Sequence, residues 1–272
     1  MGESVCFANI STTMLDLNQL VSQYPAHLRP FSRFILREYL QHKLLQLIYD
    51  SAYADRFIFL GGTCLRIVHG NQRFSEDLDF DNTGITETDF PQLSGIIRQG
   101  LEREGYAVEM RLVLKGAYHC HIKFPALLYQ QGLSGFVEEK ILIQLDTEPQ
   151  HFAFAPQPYL LNRFDVFTRL LTTPRELLLA QKFYAILNRV RNKGRDFYDV
   201  VFLLGQGVVP DYGYLEMKVG ITDSEQLRER VIAHCACLDL GLMAADVRPF
   251  LFQPSEDRRV VLFAEYLRQA SL

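Results

Sequence analysis

Apolar side chains recur at two different spacings along the chain, and the two spacings predict different elements. Positions three and four residues apart indicate amphipathic helices, whereas alternation or a short continuous apolar run indicates strands. Helical patterns are found at residues 31–52, 63–69, 86–105, 173–191, 197–204, 224–240 and 256–268. Strand patterns are found at residues 57–60, 77–81, 106–114, 118–124 and 140–146. This order predicts a helix, then a small mixed sheet with one or two helices, and then a helical tail.

The stretch after Pro149 has the composition of a loop and contains two further prolines. A boundary is therefore expected between residues 150 and 170. It divides the chain into a first domain at 1–160, which contains the sheet, and a helical C-terminal domain at 161–272.

Two helix starts are predicted from capping residues. Thr173, Pro174 and Glu176 form a start signal, with a capping threonine, a proline at the first position and a glutamate three residues after the threonine. Gly194 is expected to end this helix, and Asp196 is expected to cap the next one.

Residues that can carry chemistry follow the first predicted strand. A strand, a Gly-Gly pair and a helix start expose backbone N–H groups that can hold phosphate oxygens, and a Cβ at Gly61 or Gly62 would block that approach. Asp77 and Asp79 are two residues apart on a predicted strand, so both point to one face. Two carboxylates beside a phosphate-binding turn suit a divalent metal that bridges phosphates.

A third carboxylate, Asp146, ends the predicted strand at 140–146. If that strand lies beside the strand of Asp77, Asp146 faces the same metal and can accept the proton of an attacking hydroxyl. The alternative is that Asp146 only begins a turn before Pro149.

The same residues lie within two longer motifs. Residues 59–66 and 73–80 read FLGGTCLR and RFSEDLDF, and residues 176–182 and 194–199 read ELLLAQK and GRDFYD. With the Gly-Gly pair, the Asp-x-Asp and the later strand aspartate, they resemble the AbiEii/AbiGii-type nucleotidyltransferases of the DNA polymerase β-like superfamily. Members of that family are toxins of abortive-infection toxin–antitoxin systems. The resemblance covers about residues 30–205 and does not extend to the tail after Gly205.

The resemblance implies an α+β fold: a polymerase β-like core with a small mixed sheet flanked by helices, followed by a C-terminal helical region. It implies that Asp77, Asp79 and Asp146 bind Mg²⁺ or Mn²⁺, and that Lys182 and Asp196 act with them in catalysis. The nucleotide-binding residues that it implies are Gly61, Gly62, Thr63, Ser75, Lys182 and Arg189. Lys182 and Arg189 also share one face of the predicted helix.

The reaction implied is transfer of a nucleoside monophosphate from a nucleoside triphosphate to an acceptor hydroxyl. The acceptor implied is the 3′ end of tRNA, and a cognate antitoxin is the implied protein partner. The sequence leaves open a protein side chain as the acceptor, a nucleotide-binding protein without catalysis, and a housekeeping enzyme without an antitoxin.

Several other residues can each be given either a functional or a purely structural interpretation. His119 and His121 share a strand face and suggest zinc, but without a second ligand pair an ordinary strand is favoured. Cys235 and Cys237 fit small apolar helix residues better than a metal or redox pair. Asp196 and Asp199 also fit a helix cap and its third-position partner. The basic run Arg189, Arg191, Lys193 and Arg195 fits either a charged helix end or a contact to RNA phosphates.

Composition narrows these possibilities only slightly. The 272 residues are 48% hydrophobic, which excludes disorder as the main state. A net charge of −4 means that RNA binding needs a local basic patch. Five cysteines, an odd number, fit reduced thiols and a cytoplasmic protein. No apolar run is long enough for a membrane helix, and residues 1–11 lack the pattern of a secretory signal.

Overall fold

The computed structural model describes residues 16–272. Residues 1–15 lie outside the described part. They include Cys6 and the segment 1–11, for which no secretory signal is predicted. The strands are β1 (Phe57–Leu60), β2 (Leu78–Asn82), β3 (Glu109–Lys115), β4 (Ala117–Phe124), β5 (Ile141–Glu148), β6 (Gln157–Arg163) and β7 (Val166–Thr172). The helices are α1 (Leu17–Ser22), α2 (Ser32–Tyr49), α3 (Gly61–Ile67), α4 (Asp89–Arg103), α5 (Leu127–Gln130), α6 (Arg175–Asn188), α7 (Gly194–Leu204), α8 (Tyr212–Val219), α9 (Ser224–Cys235), α10 (Leu240–Val247), α11 (Arg258–Val261) and α12 (Phe263–Gln269).

The seven strands form one mixed sheet in the order β3-β4-β5-β2-β1-β7-β6. The predicted α+β fold is confirmed. Strand β2 is parallel to β5 and antiparallel to β1, and β1 is parallel to β7. The pairing of β2 with β5 places Asp79 directly opposite Asp146. The strand of Asp146 therefore lies beside the strand that follows Asp77, as the prediction of a third carboxylate at the site required.

Side chains alternate between the two faces of the central strands, so one face carries core residues and the other carries polar residues. Phe80 pairs with Phe59 across β1 and β2, and both rings are buried. Tyr49, at the end of α2, packs its ring against Phe80 with 6.4 Å between the centroids. Because successive side chains on a strand point to opposite faces, Asp79 projects away from this aromatic core. The apolar face thus fixes the strand, and the opposite face is left for polar groups.

The loop predicted after Pro149 is wrong for residues 157–172, which form the hairpin of β6 and β7. Pro158 lies in β6, and β6 is the edge strand of the sheet, where a missing N–H interrupts no ladder. Val166, Thr168, Leu170 and Thr172 alternate inward on β7. The predicted domain border at 160 falls within β6, and the division into two domains remains a prediction.

Both predicted helix caps are wrong. Helix α6 begins at Arg175 after Pro174 without a side-chain cap, and the buried Thr173 hydroxyl has no partner. Helix α7 begins at Gly194, so Asp196 lies in its first turn rather than at the cap. The physical reason is that Asp196 forms an ion pair with Lys182 instead of accepting from a backbone N–H. The other predicted helices agree with the structure to within five residues, except that 256–268 is divided between α11 and α12.

The C-terminal helices hold the start of α7 and the loop before β2. A Cβ at Gly194 would overlap the carbonyl oxygen of Met243 on α10, so only glycine allows this approach. The Gly194 N–H also donates to the Asp246 carboxylate at 2.9 Å. On the other side, the Phe74 N–H donates to the Phe250 carbonyl at 2.8 Å. The tail therefore braces two segments that carry predicted site residues.

Two further predictions concern chain-wide properties. No helix within residues 16–272 is long and apolar enough to cross a membrane. The four cysteines of that part of the chain, Cys64, Cys120, Cys235 and Cys237, are free thiols.

Candidate functional site

A cavity of about 310 Å³ opens between the polar face of the sheet and helices α6 and α7. Its walls are almost entirely polar. They consist of Gly62, Arg73, Ser75, Asp77, Asp79, Gln144, Asp146, Lys182, Arg189, Lys193, Arg195 and Asp196. Most of the residues predicted from sequence therefore meet in one place. Gly61 lines an adjoining cavity, and Thr63 lines neither.

The carboxylates lie on the sheet side of this cavity. Burial, together with the charges of Asp77 and Asp146, raises the pKa of Asp79 to about 6. Burial, with the nearby charges of Glu76 and Asp146, also raises the pKa of Asp77. Repulsion among these groups means that a cation placed here would relieve unfavourable charge.

The cations lie on the helix side, and Lys182 is central among them. Its Nζ is 2.9 Å from Asp196 and 2.8 Å from Asp199. Burial alone would lower the pKa of Lys182, but these two carboxylates raise it above the usual value, so the ammonium stays charged. An ammonium has three donors, and two are used here, which leaves one for a ligand in the cavity.

The glycine turn is shaped by its neighbours in the protein. Gly61 has φ +80°, and a Cβ there would overlap the Asp79 carboxylate. A Cβ at Gly62 would lie 2.6 Å from the Arg73 guanidinium and 3.0 Å from the Ser75 hydroxyl. Thr63 is fully buried, and its hydroxyl donates to the Asp77 carbonyl. Thr63 thus supports the backbone at Asp77 and does not reach the cavity with its side chain.

Comparison with known proteins identifies the family of the chain. The model of the family described as "Nucleotidyl transferase AbiEii toxin, Type IV TA system" matches residues 43–231. The chain belongs to this AbiEii family. The matched segment contains each residue predicted for the site.

Two solved structures have a similar fold. JHP933 from Helicobacter pylori is 15% identical, with 87% of this chain and 92% of that chain covered and a TM-score of 0.52. A protein from H. pylori that is described as a putative nucleotidyltransferase is also 15% identical, with 87% and 95% covered and a TM-score of 0.53. At this identity the likeness shows the fold alone. The search of curated proteins found no match.

In this AbiEii-family chain, sequence reasoning missed the residues that hold Asp146. His119 Nδ1 lies 2.6 Å from Asp146 Oδ1, and the Gln144 amide donates to both carboxylate oxygens at 2.8 and 2.9 Å. The strand predicted at 118–124 is confirmed. His119 was interpreted either as a zinc ligand or as an ordinary strand residue, and its contact with Asp146 was not considered. The missed signal was the pairing of β4 with β5, which sets His119 opposite Asp146.

The loop before β2 is also held by residues that sequence reasoning missed. The Gln41 amide on α2 donates to the carbonyls of Ser75 and Glu76 at 3.1 and 2.9 Å. The Glu76 carboxylate in turn pairs with Arg37 at 3.0 Å and with Arg195 at 3.1 Å. Helices α2 and α7 are thereby tied to the segment that presents Asp77.

The donor set suits a hard divalent cation, although no preformed cluster is present. Within residues 16–272, no group of three or more histidine, cysteine, aspartate or glutamate side chains is already arranged to hold a metal ion. Asp77 and Asp79 offer oxygen ligands under mutual repulsion, which fits Mg²⁺ or Mn²⁺. Asp146 already accepts hydrogen bonds, but a carboxylate has about four lone-pair sites. Two carboxylates with a third beside them are therefore consistent with such an ion.

Asp79→Asn is expected to stabilise the metal-free protein at neutral pH. The folded-state pKa of about 6 lies above the ordinary value of 3.8, so the folded protein binds this proton more tightly than the unfolded chain does. The stability linked to that proton is complete below about pH 4 and is lost as the pH rises through about 6. At pH 8 in EDTA the variant should gain up to about 3 kcal/mol in urea unfolding.

The gain should shrink as the pH is lowered to 4, and added Mg²⁺ should stabilise the wild type more than the variant. A variant that is less stable than the wild type at pH 8 would show that Asp79 is not under charge repulsion.

Proposed function

We propose that this protein is a metal-dependent nucleotidyltransferase that transfers a nucleoside monophosphate from a nucleoside triphosphate to an acceptor hydroxyl, in the EC 2.7.7 class. The observation that carries the proposal is that Asp77, Asp79 and Asp146 line one polar cavity together with Lys182 and Arg189. Carboxylates on one wall and cations on the other suit a metal-bound triphosphate, since each partner needs the opposite charge.

Asp77 and Asp79 would hold the metal, with Asp146 beside them. A bound Mg²⁺ or Mn²⁺ supplies positive charge to the α-phosphate and to the departing pyrophosphate. Lys182 would neutralise the triphosphate with its remaining donor, and Arg189 would add a second positive charge. Gly61, Gly62 and Ser75 would contact phosphate oxygens, whereas Thr63 would act through the Asp77 backbone. Asp196 would hold Lys182 in place.

Asp146 would accept the proton of the attacking hydroxyl. The hydroxyl oxygen bonds to the α-phosphorus, the bond from that phosphorus to the bridging oxygen breaks, and pyrophosphate leaves. His119 and Gln144 would keep the Asp146 carboxylate oriented during this step. The protein thus mainly positions and neutralises charge, as the chemistry of phosphoryl transfer requires.

We infer that the acceptor is RNA, at the 3′ end of tRNA, and the loop between α6 and α7 supports contact with RNA phosphates. Arg191 and Lys193 are exposed there, and Lys193 also lines the cavity. A net charge of −4 makes such a local patch necessary for phosphate contacts. Membership of a toxin family further supports a growth-inhibiting role in the cytoplasm and a cognate antitoxin.

The test is to incubate the purified protein with each of four α-labelled nucleoside triphosphates, Mg²⁺, and total cellular RNA together with cellular protein. The expected result is label on a band of tRNA size that disappears when EDTA replaces Mg²⁺. Label on protein would move the acceptor to a side chain. Label on RNA that persists in EDTA would contradict the metal dependence.

A further inference from the structure

A second cavity, of about 290 Å³, adjoins the carboxylate cavity and has a different character. The two share Gly62, Asp79, Lys182, Arg189 and Asp196, so a ligand bound at these groups can extend from one into the other. The far walls combine the apolar side chains of Leu178, Tyr184, Ala185 and Tyr214 with the amides of Gln150, Gln181 and Asn188. Apolar walls with a few polar groups are typical of pockets that bind flat organic ligands.

The aromatic wall of this second cavity is fixed by packing. Tyr184 and Tyr214 meet edge to face, with ring centroids 6.2 Å apart at 87°. Tyr214 is buried and also meets Phe152 edge to face at 5.4 Å. Tyr214, packed between two rings, is held against the wall of the cavity, so the space remains available to a planar group.

Gln181 differs from the other two amides of this cavity. Asn188 donates to the Tyr184 carbonyl at 3.1 Å, and the Gln150 side chain lies within 3.5 Å of both the Tyr214 hydroxyl and the Glu148 carbonyl. The Gln181 amide nitrogen, by contrast, is buried and has no partner. A buried unpaired donor is costly, and in a native protein it often marks a place where a ligand supplies the acceptor.

We propose that Gln181 selects the base of the nucleoside triphosphate by hydrogen bonding to its edge inside this second cavity. The inference rests on the proposed function, because the residues that line both cavities would hold the triphosphate in the adjoining polar cavity. Gln181 immediately precedes Lys182 on α6, so the residue that reads the base and the residue that neutralises the phosphates are fixed to one rigid element. A glutamine amide offers a donor beside an acceptor, and the edges of different bases present these in different order.

The experiment measures equilibrium binding of ATP, GTP, CTP, UTP and inorganic triphosphate in Mg²⁺ without an acceptor. The wild type should prefer one nucleoside triphosphate over the weakest by at least about tenfold. Gln181→Met has a similar length and no added charge. It should reduce that ratio to within about threefold while the affinity for inorganic triphosphate is unchanged.

Gln206→Met is the matched control, because Gln206 lies in the exposed turn after α7, outside both cavities. It should keep the wild-type preference. Gln181→Glu keeps the size and the acceptor but replaces the donor with a negative charge, so it should lose affinity for the preferred nucleoside triphosphate by a larger factor than for inorganic triphosphate. Melting temperatures check that each variant is folded.

Two outcomes would overturn the inference alone: a wild type that binds all four nucleoside triphosphates equally, or a Gln181→Met protein that keeps the preference. Equal weakening of every ligand, including inorganic triphosphate, would assign Gln181 a structural role instead. Lys182→Ala distinguishes base selection by Gln181 from the proposed function, because it should strongly weaken the binding of inorganic triphosphate. A wild type that binds neither triphosphate nor any nucleotide would contradict the proposed function itself.

Discussion

Asp77→Asn is expected to abolish nucleotide transfer, with a fall in rate on the order of 10³-fold or more. Asp77 lines the cavity opposite the cations and directly precedes β2. The substitution keeps the shape of the side chain and removes one negative charge from a cluster in which burial, Glu76 and Asp146 already raise the pKa of Asp77. The fold should therefore be retained, with a melting temperature in EDTA equal to or above that of the wild type.

Asp81→Asn is the matched control for that variant. Asp81 lies within β2, four residues beyond Asp77, and does not line the polar cavity. Its carboxylate accepts from the Gln150 N–H at 2.9 Å, and an asparagine oxygen can still accept that bond. This control should keep most of the transfer rate in the labelled-nucleotide assay. Full transfer by Asp77→Asn at saturating Mg²⁺ would remove the metal model.

Residues close together in sequence could be predicted well, because strand and helix periodicity needs only local information. The strand 57–60, the glycine turn and the alternation at 77–81 all lie within one short segment, and the structure confirms each element. The β6–β7 hairpin could not be recognised in the same way. Its inward positions include Thr168 and Thr172, and Pro158 resembles a loop residue until the edge position of β6 is known.

The polar cavity could be predicted only in part for the same reason. Asp146 could be placed beside Asp79 only under the condition that their strands pair, and nothing in the sequence gives that pairing. His119 and Gln144 were missed because their value depends on the same register. Similarly, Asp196 was expected to cap a helix, since sequence shows the helix start but not the Lys182 ammonium that it faces.

The C-terminal tail after Gly205 is the longest segment to which the sequence analysis gave no role. The resemblance seen in the sequence ends near residue 205, yet the Phe250 carbonyl accepts from the Phe74 N–H, and the Phe250 ring lies 4.6 Å from the Arg195 guanidinium. Gly194 packs against the backbone of Met243. These contacts join residues more than 40 positions apart, so no local pattern reveals them. A bracing role for the tail follows from packing alone.

Asp199→Asn is expected to cost about 3–5 kcal/mol of stability, the range for breaking one side of a buried ion pair. Asp199 is fully buried and accepts from Arg73 through both oxygens at 2.7 Å, from Asn71 at 2.7 Å and from Lys182 at 2.8 Å. Burial alone would raise the pKa of Asp199, but Arg73 and Lys182 lower it to about 2. Asparagine would leave the Arg73 guanidinium buried without a carboxylate.

Urea unfolding at pH 7 measures this loss, and its pH dependence identifies the cause. Because the folded-state pKa lies below the ordinary value of 3.8, the stabilisation is complete above about pH 4 and is lost as the pH falls towards 2. The difference between wild type and variant should therefore be constant from pH 5 to 8 and shrink below pH 4.

Glu139→Gln is the control for this buried pair, since it breaks an exposed pair, Arg33 with Glu139, and should cost less than about 1 kcal/mol. The Asp199 variant should also lose transfer activity, because Arg73 and Lys182 both line the polar cavity and both lose a partner. A loss of stability as small as that of Glu139→Gln would mean that Arg73 finds another acceptor. The polar cavity would then not depend on the Asp199 network for its shape.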